Sequence, residues 1–124
     1  SWIWSGPAQD AAHVYAGDGS GMVYAFPLTG AGQAWTQKLN GTIIGSPLAI
    51  AGTIVVGTEA GTVYFMDDTG QNVRTVYTDT GKIHATPVSA ASGTLVLVAP
   101  TGGVNPLVAL DLTGATKWTF NPVK

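Results

Sequence analysis

Pro7, Pro47 and Pro87 stand at intervals of 40 residues, and each follows two small residues: Ser5-Gly6, Gly45-Ser46 and Ala85-Thr86. A fixed period of this length marks a repeat architecture, in which one supersecondary unit recurs and buries its apolar face against its neighbours. The same offset carries Ile3 onto Ile43 and Ile83, and Val14-Tyr15-Ala16-Gly17 onto Ile54-Val55-Val56-Gly57. It also carries Gly21-Met22-Val23-Tyr24 onto Gly61-Thr62-Val63-Tyr64, and Thr29-Gly30 onto Thr69-Gly70. In the third copy, insertions near Ala91-Ser92-Gly93 and Thr101-Gly102-Gly103-Val104-Asn105 move the equivalent pair to Thr113-Gly114, 44 residues on. The copies therefore span 1–40, 41–80 and 81–124 within a single unit over 1–124.

Each copy reads as four short strands. In the middle one, Thr42 to Ile50 is an apolar stretch with small residues, closed by a turn at Ala51-Gly52. Thr53 to Val56 is β-branched, Thr62 to Met66 alternates into the turn Asp67-Asp68-Thr69-Gly70, and Val73 to Tyr77 makes the fourth strand. Such runs, bounded by Gly, Asp and Pro, predict antiparallel β structure. Four strands in about 40 residues is the size of a propeller blade. The predicted fold is all-β: a partial β-propeller of three four-stranded antiparallel blades, completed to a ring by a second copy or a partner.

Packing explains the small residues. The first strand of a blade lies nearest the axis, where blades converge, so Ser-Gly-Pro, Gly-Ser-Pro and Ala-Thr-Pro keep bulk away. Proline is tolerated there because one side of an innermost strand is unpaired. Gly30, Gly70 and Gly114 fall where a tight turn demands positive φ. Asp67 and Asp111, just before two of these glycines, are expected to accept backbone hydrogen bonds in the turn, whereas Pro27 replaces them in the first copy.

The pattern Gly41-Thr42-Ile43-Ile44-Gly45-Ser46-Pro47, then Gly61-Thr62-Val63-Tyr64, then Ala109-Leu110-Asp111-Leu112-Thr113-Gly114 with Trp118, resembles the PQQ-like β-propeller repeat. That family includes quinone-dependent alcohol dehydrogenases, outer-membrane assembly lipoproteins and extracytoplasmic scaffolds. The resemblance implies a blade-locking role for Trp35 and Trp118; in the second copy Thr75-Val76-Tyr77 occupies the region instead. The Gly-His and Trp-Asp signatures of WD-type blades are missing. The resemblance also implies an extracytoplasmic location. The family's quinone enzymes hold their cofactor against calcium in eight-bladed rings, with carboxylate and amide ligands, a stacking Trp and often a disulfide of adjacent cysteines. This chain has one Glu, Glu59, and no Cys.

Charge and composition exclude several classes. Five Lys and Arg against seven Asp and Glu give a net charge of −2, and Lys38, Arg74, Lys82, Lys117 and Lys124 are scattered, so no basic footprint for nucleic acid exists. Without cysteine there is no disulfide, thiolate metal site or thiol nucleophile. No apolar run approaches the ~18 residues of a membrane span. The first residue is Ser1, so the chain is expected to be a processed or partial form from which any signal peptide has gone.

The search for chemistry finds no catalytic, cofactor-binding or metal residue. His84 stands where the other copies have Ile44 and Trp4 and is expected to be packed; His13 is expected to face solvent. The spacing of Ser20, Ser46, Ser89 and Ser92 suggests no triad with a base and an orienting group. A zinc site would require more ligands than two histidines. Gly17-Asp18-Gly19-Ser20-Gly21 offers too few oxygens for calcium and lacks the Lys of a phosphate loop, so it reads as a surface turn.

Propellers have four to eight blades, so three leave two blade faces bare. Each face measures roughly 350 Å² from strand spacing and length. Two together exceed the apolar patch of a typical monomer. Two copies would close a six-bladed ring with a twofold axis, and the four faces, about 1,400 Å², fall within the range of a specific interface. Trp2 and Trp4 are expected at such an end, and Tyr77 is a further candidate interface aromatic. The expected function is a noncatalytic extracytoplasmic scaffold or interaction module whose partner is protein: a second copy, a larger propeller or a surface assembly. The alternative is a fragment of a PQQ-dependent dehydrogenase or of a carbohydrate-binding propeller using exposed aromatics such as Trp2 or Tyr77.

Overall fold

The computed structural model describes residues 8–9, 13–28, 35–43, 45–50, 52–78, 80–83, 87–90, 93–102 and 107–120. Among them are twelve strands: β1 (Ala8–Gln9), β2 (His13–Gly17), β3 (Met22–Pro27), β4 (Trp35–Lys38), β5 (Leu48–Ile50), β6 (Thr53–Gly57), β7 (Thr62–Asp67), β8 (Arg74–Thr78), β9 (Val88–Ala90), β10 (Leu95–Val98), β11 (Leu107–Asp111) and β12 (Thr116–Phe120). They form three four-stranded sheets, β1 to β4, β5 to β8 and β9 to β12, each built from consecutive strands in consecutive order. Every pairing is antiparallel. The all-β expectation of three four-stranded blades holds. Among the described residues no helix is long and apolar enough to cross a membrane.

Two apolar layers glue the sheets face to face. Between the first and second sheets, Tyr15, Val23 and Ala25 meet Ile54, Val56, Tyr64 and Met66. Between the second and third, Val55, Val63 and Phe65 meet Val96, Val98, Val108 and Leu110. Alternation along a strand sends successive side chains to opposite faces, so β6 and β7 feed both layers and bury nearly every residue. This is why Thr-Ile-Val-Val reads as an unbroken apolar run and not as an alternating one. The innermost strands converge, β1 against β5 and β5 against β9.

The first strand of the second blade is shorter than the Thr42 to Ile50 stretch predicts. Pairing begins at Leu48, immediately after the buried Pro47, because proline has no N–H to donate to a ladder. The residues before it are a plug between blades. Ile43 is fully buried over Gly17, where an added Cβ would stand 2.5 Å from its Cγ2, and its amide donates to the Asp18 carbonyl at 3.3 Å. Ile83 repeats this over Gly57, its amide donating to the Thr58 carbonyl at 2.9 Å. Pro87 is likewise buried just before β9. Pro7, Gly30, Trp2, Trp4 and His84 lie outside the described residues.

Candidate interaction faces

The seam between the first two sheets is closed at its outer rim by Trp35, the first residue of β4. Its indole Nε1–H donates to the Asp68 carbonyl at 2.9 Å, and Gln37 donates its side-chain amide to the Gly70 carbonyl at 2.9 Å. Gly70, at φ 81°, lies flat under the ring: an added Cβ would stand 2.6 Å from Trp35 Cδ2. The positive φ that the turn demands and the ring's close approach select glycine together. At the next seam Gly114 takes the same position at φ 94°, and Val76 fills the place of the indole against it. Val76 reaches there because β8 is irregular between its pairings with Val63 and Tyr64, which leaves Val76 out of register. Arg74, the register equivalent of Trp35, lies over the Phe65 ring at 5.7 Å. Tyr77 corrects an expectation: it is half-buried and packed into the second layer, so its ring already serves an interface within the chain.

Of the two turn aspartates, Asp111 accepts the backbone hydrogen bonds expected of it and Asp67 differs. Asp111 Oδ1 accepts from the amides of Thr113 and Ala115 and from the Thr113 hydroxyl, and these bonds, the hydroxyl's first, hold its pKa below the ordinary carboxylate value. Asp67 instead accepts from the Asn72 side-chain amide at 2.6 Å, while its backbone carbonyl accepts from Gly70. The Gly17 to Gly21 loop is a turn, yet Asp18 within it is only 1 % exposed. Its Oδ1 accepts from the Ser20 amide (2.9 Å), the Ser20 hydroxyl (2.6 Å) and the Met22 amide (3.1 Å), and its Oδ2 from the Tyr24 hydroxyl (2.6 Å). Burial alone would raise this carboxyl's pKa; the four donors outweigh it and hold the pKa far below the usual range. The same bond raises the Tyr24 pKa. His13, expected to face solvent, opens β2 half-buried, 3.4 Å from the Tyr15 hydroxyl.

The Asp18 turn does not suit calcium. Both oxygens of Asp18 are engaged by protein donors, and among the described residues no three His, Asp or Glu side chains come together. Calcium takes six to eight oxygens.

Among the described residues, the outer faces of the first and third sheets have no sheet packed on them, and they are exposed mainly towards the rim, Ala16 and Ala109 being buried. On the first sheet, alternation turns Val14, Ala16, Tyr24 and Phe26 away from the layer holding Tyr15, Val23 and Ala25. Tyr24 and Phe26 stack there, ring centroids 6.2 Å apart and 14° between planes. On the third sheet, Val88, Leu97, Ala109 and Trp118 form one cross-strand row, with Leu107 and Phe120 paired beside it. Val88 is 51 %, Trp118 44 % and Phe120 53 % exposed. None of these belongs to either packed layer among the described residues. Register gives them their meaning: Val14, Ala16, Tyr24 and Phe26 are the equivalents of Ile54, Val56, Tyr64 and Met66, which the second sheet presents to the first. Trp118, opposite Ala109 as Trp35 is opposite Ala25, is the equivalent of the rim tryptophan. Phe120 and the Tyr24–Phe26 stack carried no signal in the repeat, because exposure depends on which sheet has a neighbour.

Three antiparallel four-stranded blades in sequence, the first seam closed at the rim by a tryptophan over a glycine turn, define a β-propeller of the PQQ-like repeat type. The family model described as outer membrane protein assembly factor BamB matches residues 1–121, and the chain belongs to that family. Among solved structures it is similar to the crystal structure of BamB from Moraxella catarrhalis, with 27 % identity and a TM-score of 0.77 over 96 % of this chain and 37 % of that one. The chain thus spans little more than a third of the length of that relative. A search of the curated proteins found no match.

Proposed function

We propose that the protein is a noncatalytic, extracytoplasmic propeller scaffold that works through protein contacts, in the manner of an assembly factor for outer-membrane proteins. The observation that carries this reading is the pair of partly exposed apolar end faces on a fold of the BamB family. The blade units are 1–40, 41–80 and 81–124, and two copies complete a six-bladed ring, which covers both faces with the least new structure. Light scattering at micromolar concentrations then gives twice the mass of one chain. A single-chain mass throughout, with no partner added, defeats self-completion.

The second reading, a piece of a quinone enzyme, is favoured only by the repeat itself. Adding the quinone with calcium is expected to leave the melting temperature unchanged. A dose-dependent rise would instead support the enzyme reading, because a ligand that binds only the folded state stabilises it by mass action.

A further inference from the structure

We propose that Asn40-Gly41 is a site of spontaneous covalent modification, where the Asn40 side-chain amide is lost through a cyclic imide and an isoaspartyl link forms beside the Ile43 plug. The chemistry needs an asparagine that solvent reaches, a following backbone N–H free to become a nucleophile, and an unobstructed approach. Glycine gives the approach, because it has no Cβ. Of the four asparagines in the chain, Asn40 alone precedes glycine, and Asn105 and Asn121 precede proline, which has no N–H. Asn40 and Gly41 are both exposed, in the bend that follows β4. Among the described residues neither the Asn40 side chain nor the Gly41 amide is hydrogen-bonded; Asn40 donates only its own backbone N–H, to the Tyr64 hydroxyl at 3.4 Å. Asn72 is the internal contrast. Its side-chain amide donates to Asp67 Oδ2 at 2.6 Å, and β-branched Val73 follows it. Asp18-Gly19 is shielded differently, since that carboxylate is buried and both its oxygens accept hydrogen bonds.

In the reaction the Gly41 amide gives its proton to water or hydroxide, and its nitrogen attacks Asn40 Cγ. The new C–N bond closes a five-membered ring, the Cγ–Nδ2 bond breaks, and ammonia leaves with a proton returned from solvent. Water then opens the ring. Attack at Cγ gives Asp on a normal backbone; attack at the backbone carbonyl carbon routes the chain through Cβ and lengthens it by one methylene. Nothing is oxidised or reduced. The added atom falls between fixed anchors. Before it, buried Leu39 donates its amide to the Gly21 carbonyl at 2.8 Å; after it, the Thr42 hydroxyl donates to the Gly19 carbonyl at 3.0 Å and the Ile43 amide to the Asp18 carbonyl at 3.3 Å. The Thr42 carbonyl also accepts from the Glu59 amide at 2.8 Å, in the second blade. Extra backbone here displaces Ile43 from its seat over Gly17 and loosens the first seam.

The test keeps native protein in mildly alkaline buffer and follows its peptides by mass spectrometry. The peptide holding Asn40 is expected to gain the mass of OH over NH₂ while the Asn72 peptide stays unchanged, and to accept methyl groups from a protein isoaspartyl methyltransferase. Asn40→Gln abolishes both signals. A gain at Asn40 seen only in urea, or no faster than at Asn72, overturns the site. The isoaspartyl fraction, separated by chromatography, is expected to melt below the parent and to exchange the Ile43 amide faster. Asn40→Asp, with the same charge and no added backbone atom, melts with the parent. An isoaspartyl fraction that melts with Asn40→Asp overturns the loosening of the seam.

Discussion

Replacing Gly70 by alanine is expected to destabilise the protein by about 2–5 kcal/mol, the sum of roughly 1–2 for a left-handed alanine and 1–3 for overpacking. The new methyl would press into the Trp35 ring, and the ring cannot retreat without breaking its bond to the Asp68 carbonyl. Trp35→Ala is expected to cost up to about 3–5 kcal/mol, the range for deleting a packed tryptophan. Against a total stability of about 5–15 kcal/mol for a domain, either loss is large. The two are not additive: once Trp35 is gone the methyl has room, and Gly70→Ala then costs only the backbone strain. A double-mutant cycle by urea unfolding measures this coupling. Additive costs would mean that the ring does not lie on the glycine.

The second large effect is at Asp18. Its folded pKa is depressed, so it contributes stability that is complete above the unfolded carboxylate value of about 3.9 and is lost as pH falls through that value toward the folded one. Tyr24 is the opposite case: its pKa is raised, so its contribution is complete below about 10 and is lost as pH rises through the folded value. Asp18→Asn keeps the shape but loses the charge that four donors converge on, at about 1–3 kcal/mol near neutral pH. Melting temperatures of parent and variant from pH 7 to pH 3 should converge, the parent falling more steeply. Parallel curves would show that the carboxylate is not the acid-labile group. Tyr24→Phe removes one of the four bonds and should reduce the difference without abolishing it.

How far the sequence could be read is clearest at these two places. The turn glycine was legible at Gly70 and Gly114, because a Thr-Gly pair recurring with the period marks a turn that must be entered at positive φ. That the same glycine must also lie under an indole was not, since the ring arrives from a residue 35 positions earlier and from another sheet. In the second blade the absence of a tryptophan was plain from the repeat. Its replacement by Val76 was not, because an irregularity in pairing decides which side chain reaches the seam. Asp18 read as a solvent-facing turn residue because Gly-Asp-Gly-Ser-Gly is polar and small. Its burial comes from Tyr24, six residues on, whose hydroxyl is brought back to the carboxylate by the β2–β3 hairpin, and from Ile43, which plugs the seam behind it.

By itself, the sequence determined the period, the four strands of each blade, the antiparallel all-β class and the position of the glycine turns. All of these follow from local propensity and spacing, which act within one repeat. Only the tertiary structure decided which of three near-equivalent faces are buried. The register position that is sealed in the middle sheet at Ile54 is half-exposed at Val14 in the first, and the rim tryptophan that is half-buried at Trp35 is exposed at Trp118. Burial is a property of the neighbouring sheet, and a repeat written three times does not say what stands beside the first copy or the last.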